Sequence, residues 1–148
     1  MGKLWDVSSN AIQEGIVPTV DSLGFKDGQV VQEFYWDEDV DDPLRRHIEQ
    51  VTGEALVDGE YGNVVDGVII WWRADDAQEE DLADVLLDCI SDLDNGGLVW
   101  VLTPKPTDAQ HVSPNDVAEA ARIAGLHATS AEVVAPQWTG MRLTAAAK

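Results

Sequence analysis

Val64-Val65-Asp66-Gly67-Val68-Ile69-Ile70-Trp71-Trp72 is almost continuously apolar, and a second such run follows at Leu98-Val99-Trp100-Val101-Leu102-Thr103. These two runs narrow the possible folds more than any other feature. A strand that is apolar on both sides must be covered on both faces, as a central parallel strand is. Consecutive Trp71 and Trp72 must then point to opposite faces of the sheet. Between the runs, Leu82, Val85, Leu86, Cys89, Ile90 and Leu93 recur at helical spacing, and Asn95-Gly96-Gly97 reads as the stop of that helix. Strand, helix, strand with this spacing predicts a right-handed crossover between parallel neighbours.

The flanking segments extend the pattern. Gln29-Val30-Val31-Gln32-Glu33-Phe34-Tyr35-Trp36 follows the Asp27-Gly28 turn signal and is rich in β-branched and aromatic residues, so it reads as a strand. A helix follows, with Asp42 as N-cap, Pro43 at its first position, Leu44, Ile48 and Val51 as its apolar stripe and Gly53 as its end. Ala55-Leu56-Val57 reads as a short strand. Ser113-Pro114-Asn115-Asp116 is a compact helix start, with Ser as cap and Pro at the first helical position. Thr129 to Ala135 and Met141 to Ala146 read as an antiparallel pair joined by Pro136-Gln137-Trp138-Thr139-Gly140. The alternation predicts an α/β fold, a three-layer Rossmann-like sandwich with a mostly parallel sheet and a C-terminal antiparallel hairpin. It places a single domain at 23–148, behind a loosely held arm at 1–22.

From Asp66 onward this order resembles the second half of a class I methyltransferase domain, where two parallel strands with a crossover helix precede a helix and an antiparallel final hairpin. A closer resemblance rests on specific pieces. Gln29-Val30-Val31-Gln32-Glu33 with Trp36-Asp37-Glu38-Asp39, Ile69-Ile70-Trp71-Trp72-Arg73, Val101-Leu102-Thr103-Pro104-Lys105 and Trp138-Thr139-Gly140-Met141-Arg142-Leu143 are similar to an uncharacterised family of small actinobacterial proteins, domain of unknown function 3052. The similarity runs from about Leu23 to Leu143. It implies an actinobacterial, cytoplasmic protein and brings no catalytic residues with it.

Charge excludes several functions. The chain of 148 residues has a formal net charge of −19. Of this, Asp27–Asp94 carries 21 acidic and three basic residues, a net of −18. Direct nucleic-acid binding needs a cluster of cations to neutralise phosphates, and an anionic membrane face would repel such a chain. No apolar run approaches the roughly 20 residues of a spanning helix. Ten of these 21 acids concentrate in two blocks: Asp37-Glu38-Asp39-Val40-Asp41-Asp42 and Asp75-Asp76-Ala77-Gln78-Glu79-Glu80-Asp81. Acidic first turns of helices account for part of this, since negative side chains there are favourable by roughly 0.3–1 kcal/mol each.

Enzymatic readings find little support in the residues. A nucleotide-type cofactor is held at the carboxyl end of the first strand on a glycine-rich turn. Here that turn, Tyr35 to Pro43, contains no glycine and carries five carboxylates. Asp58 or Glu60 would be the acid that holds a ribose. His47, His111 and His127 lack metal-ligand spacing, the acidic blocks lack the pattern of a calcium loop, and Cys89 lies on an apolar helical stripe. No catalytic, cofactor-binding or metal-binding residue is assigned.

Aromatic residues beside acids suit a basic protein partner, because Trp anchors and carboxylates steer. The predicted partner surface comprises Trp36, Asp37, Glu38, Asp39, Asp41, Asp42, Trp72, Asp75 and Asp76. The first expectation is therefore a non-enzymatic acidic interaction or regulatory module on a degenerate methyltransferase-like fold. Two alternatives are a DNA mimic that occupies a DNA-binding protein, and a residual small-ligand or S-adenosylmethionine binder.

Overall fold

The run read as the most buried strand lies inside the sheet. It forms β2 (Val65–Trp71), with β1 (Val31–Phe34) on one side and β3 (Leu93–Pro104) on the other, both parallel to it. The computed structural model describes residues 23–145; the expected arm at 1–22 and Ala146 of the expected last strand lie outside the described residues. β5 (Trp138–Ala145) pairs antiparallel with β3 and with the edge strand β4 (Leu126–Ala135), which gives a five-stranded mixed sheet of order β1-β2-β3-β5-β4.

Alternation along β2 builds two apolar clusters, one on each face. Val68, Ile70 and Trp72 point to a cluster covered by α3 (Leu82–Cys89) and α4 (Pro114–Ile123). Ile69 and Trp71 point to the other, where Leu44 and Ile48 of α1 (Asp42–Thr52) meet Trp100 and Trp138. Trp71 and Trp72 thus do lie on opposite faces. Val68, Ile69, Ile70 and Trp71 have no solvent exposure, and each such aliphatic side chain contributes about 1.5–3 kcal/mol through burial.

Helix starts follow local chemistry, with one shift. α4 is capped as expected, the Ser113 hydroxyl accepting from Asn115 N at 3.2 Å with Pro114 at the first position. In α1 the cap is Asp41 rather than Asp42: its carboxylate accepts from Leu44 N at 2.9 Å, so the helix begins one residue earlier than expected. Gly53 ends α1 in the left-handed region at φ 76°, a conformation that glycine adopts without steric cost.

Three expectations are corrected. The helix whose apolar stripe is expected to run from Leu82 to Leu93 is α3 and stops at Cys89, Leu93 already belonging to β3. A separate short helix, α2 (Ala74–Glu79), precedes it across the extended Glu80 and Asp81, with Asp81 capping α3 through Ala83 N at 3.0 Å. Asn95-Gly96-Gly97 does not end that helix. β3 starts at Leu93 opposite Val65 and resumes at Leu98 opposite Gly67, so these residues form an irregularity inside the strand, with Gly96 at φ 78°. Ala55-Leu56-Val57 contributes only a bridge between Val57 and Gln32.

The final pair is tighter than expected. Trp138-Thr139-Gly140 belongs to β5, leaving Pro136-Gln137 as the connection. Gly140 faces Leu102 across the strands, and a Cβ there would lie 2.8 Å from both Trp100 and Val134. The missing side chain is what lets these two approach.

Candidate functional site

In open α/β sheets, ligands sit in the crevice beyond the carboxyl ends of the strands. In this chain Tyr35, Asp39 and Arg73 come together beyond the ends of β1 and β2. β1 ends at Phe34, and Tyr35 takes a left-handed conformation at φ 63°, which costs a non-glycine residue about 1–2 kcal/mol. The turn points the Tyr35 carbonyl toward β2. Its ring meets Trp72 edge-on, with centroids 5.3 Å apart and planes at 83°, and its hydroxyl donates to Glu80 at 2.9 Å. Burial, then the Glu80 carboxylate, raises the Tyr35 pKa well above the ordinary phenol value.

Arg73, the second residue past β2, fills the space between these groups. Its Nε donates to Asp39 Oδ2 at 2.8 Å and its Nη2 to Asp39 Oδ1, a bidentate pair. Its Nη1 donates to the Tyr35 carbonyl at 3.1 Å and the Trp71 carbonyl at 3.2 Å, and meets Asp76 at 3.4 Å. The guanidinium lies 5.4 Å over the Trp138 ring, whose Nε1 donates to the Asp39 carbonyl at 3.3 Å. Arg73 is only 9% exposed. Burial works against its charge, but Asp39 and Asp76 outweigh that and hold its pKa above the usual value. The same hydrogen bonds hold the Asp39 carboxyl below the usual carboxylate range.

A second charged knot lies on the α1 side. Glu33 of β1 accepts from Arg45 Nε at 2.7 Å, Arg45 Nη2 at 2.9 Å and Trp71 Nε1 at 2.8 Å. Arg45 also meets Asp42 at 3.2 Å. Trp71 in turn packs edge-on against Trp138, with centroids 4.8 Å apart, which connects the two knots.

The residues expected to form the partner surface separate into groups. Asp39 and Asp76 are engaged by Arg73, Asp41 caps α1, and Asp42 pairs with Arg45. Trp72 is 1% exposed and belongs to the core, which removes it from any surface. It turns inward because the strand alternation sends it to the face covered by α3 and α4. Trp36 is 54% exposed, and Asp37, Glu38 and Asp75 are exposed beside it or at the start of α2. Tyr35, Glu33, Arg45 and Trp138 went unnoticed as site residues. Only Arg73 carried a signal, as a cation just past a strand that can pair with nearby acids.

Among the described residues, no group of three or more His, Cys, Asp or Glu side chains is placed to hold a metal ion. Nor is any helix among them long and apolar enough to cross a membrane. Cys89 is buried, and burial followed by Asp88 pushes its thiol pKa up to about 12, so at neutral pH it is a core side chain and not a nucleophile.

Similarity to known proteins agrees with this architecture. Uncharacterized protein Rv2239c of Mycobacterium tuberculosis (strain ATCC 25618 / H37Rv) is 44% identical over 121 residues, covering 82% of this chain and 74% of that protein. Among solved structures, the pyocyanin biosynthetic protein PhzM superposes with a TM-score of 0.61 at 14% identity, over 87% of this chain and 53% of that one. Magnesium protoporphyrin IX methyltransferase from Synechocystis PCC 6803, solved with bound SAM, gives a TM-score of 0.50 at 13% identity, over 81% and 71% of the two chains. At such identities the likeness is one of fold. The family described as protein of unknown function (DUF3052) matches residues 20–147, and the chain belongs to that family.

Proposed function

We propose that the chain is a non-enzymatic, acidic interaction or regulatory module, built as a three-layer, degenerate methyltransferase-like fold and working in the cytoplasm. The observation that carries this reading is Arg73. A cofactor such as S-adenosylmethionine needs an open crevice at the strand ends and a turn whose backbone can approach it closely. The residues here do not fit that group. The turn from Tyr35 to Asp42 has no glycine, and the Arg73 guanidinium, clamped by Asp39 and two backbone carbonyls, takes up the crevice. Removing it would leave the buried Trp71 carbonyl, the partly buried Tyr35 carbonyl and the Asp39 carboxylate without this donor.

The proposed partner is a basic protein that meets Trp36 with Asp37 and Glu38 of the same turn and Asp75 at the start of α2. A half-exposed Trp supplies anchor area, and the acids supply orientation and rate. Two measurements test the reading. Calorimetric titration with S-adenosylmethionine, S-adenosylhomocysteine, NAD and ATP should show no saturable binding; a Kd tighter than roughly 100 µM, about −5.5 kcal/mol, overturns the non-enzymatic assignment. Capture from lysate at low and high salt should yield a salt-sensitive partner that Trp36→Ser loses. Capture that is unchanged by both salt and Trp36→Ser overturns the partner surface.

A further inference from the structure

A groove of about 560 Å³ opens on the α3–α4 face, beside the strand ends but apart from Trp36. It lies where the extended Glu80-Asp81 link separates α2 from α3, with residues of α4 on its other side. Its floor is apolar: Leu82, Val112 and Ala120 line it, each 6–7% exposed, over the buried Trp72. Ile123, 59% exposed, stands at its lip.

Carboxylates line both sides: Glu79, Glu80 and Asp81 on one, Asp116 and Glu119 on the other. Three have internal work, since Glu80 accepts from Tyr35, Asp81 caps α3 and Glu119 pairs with Arg122. The Glu79 and Asp116 carboxylates have no ion pair among the described residues, and no Lys or Arg lines the groove.

We infer that this groove docks a segment of a basic protein that places an apolar side chain between the Leu82–Ala120 floor and Ile123 and flanking Lys or Arg side chains against the two acidic walls. Charge decides the occupant. An apolar group that arrived with neutral or acidic flanks would desolvate carboxylates and give them no counter-charge. A cationic segment without an apolar residue would leave the floor wet. Only the combination satisfies both surfaces.

The test uses the full chain and a synthetic probe, Lys-Lys-Leu-Leu-Lys-Lys, followed by amide chemical shifts. Saturable shifts should concentrate in residues 77–82 and 116–123. Glu79→Lys with Glu119→Lys changes two exposed groove positions and should weaken binding about tenfold or more. Glu54→Lys with Glu60→Lys gives the same net charge on exposed residues outside the groove and should weaken it about twofold or less. Replacing both Leu of the probe with Ser should weaken it several-fold. Trp36→Ser should leave it unchanged, which separates this site from the proposed Trp36 surface. Equal weakening by the two double variants, shifts centred on Trp36, an affinity for the Ser probe equal to that for the Leu probe, or no saturable shift at all each overturns the inference. Retained amide dispersion in each variant confirms that it still folds.

Discussion

Two acidic blocks of similar composition, Asp37–Asp42 and Asp75–Asp81, end up in different circumstances. In the first, the carboxylates are largely absorbed by the fold: Asp39 holds Arg73, Asp41 caps α1, Asp42 pairs with Arg45, and Asp37 accepts from Glu38 N at 2.7 Å. In the second, Asp76 touches Arg73 at 3.4 Å and Asp81 is a cap, while Glu79 is left facing the groove. The difference comes from the cations. Only three basic residues lie in Asp27–Asp94; helix spacing puts Arg45 three residues from Asp42, and strand pairing brings Arg73 to Asp39. Charge density in a sequence therefore does not say which acids are available; the location of the few arginines does.

The sharpest way to break the comparison is Arg73→Ala. It removes the bidentate partner of Asp39 and leaves the Tyr35 and Trp71 carbonyls unpaired. A fully buried pair broken this way costs about 3–5 kcal/mol. Because Asp39's side chain is 53% exposed, the expected loss is smaller, about 2–4 kcal/mol. Urea unfolding measures it; a loss below about 1 kcal/mol would show that Arg73 is not a structural plug. Glu33→Ala follows in size. It strands Arg45 and Trp71 Nε1 and should cost about 2–3 kcal/mol, with Glu33→Gln recovering part of the loss through the Trp71 hydrogen bond.

Asp39→Asn tests the same knot through pH. The folded-state pKa of Asp39 is depressed by the Arg73 hydrogen bonds and charge, against an opposing contribution from burial. Its contribution to stability is therefore fully present above the unfolded value, about 3.9, and is lost as pH falls through the folded value. At neutral pH Asp39→Asn should cost about 1–2 kcal/mol. The gap between it and the parent chain should close as pH drops below about 4. A gap independent of pH would mean that ionised Asp39 contributes nothing particular to Arg73.

How much of this was readable in the residues depends on how local the determining interaction is. β2 and β3 were legible because burial on both faces leaves an apolar run, and the α4 start because Ser113-Pro114 acts within three residues. The short α2 was not, since Ala74–Glu79 buries no residue and so carries no apolar stripe to announce it. Asn95-Gly96-Gly97 looked like a helix stop because a strand irregularity needs the same glycines. At the site, the acidic turn without glycine was legible. Of its occupant, only a cation past a strand that could pair with nearby acids was legible: Arg73 reaches Asp39 across 34 positions, and the parallel register of β1 and β2 makes them neighbours. Trp72 was misplaced as a surface residue for the related reason that its facing depends on which side of the sheet receives α3 and α4.

The smallest expected effect sharpens the comparison from the other side. Glu79→Gln alters a carboxylate at the C-terminal end of α2 that has no ion pair among the described residues. A negative charge there opposes the helix dipole and adds to the repulsion with Glu80 and Asp81. Neutralising it should leave stability within about 0.5 kcal/mol of the parent chain, on the stabilising side if anywhere. Thermal unfolding measured alongside Asp39→Asn makes the contrast direct, since both variants remove one negative charge and keep nearly the same side-chain shape. If Glu79→Gln were to lose as much as Asp39→Asn, the second block would be as structural as the first, and the groove would lose its uncommitted acid. If it costs nothing, that carboxylate is not used by the fold, and its place beside an apolar floor is left for a cationic partner to exploit.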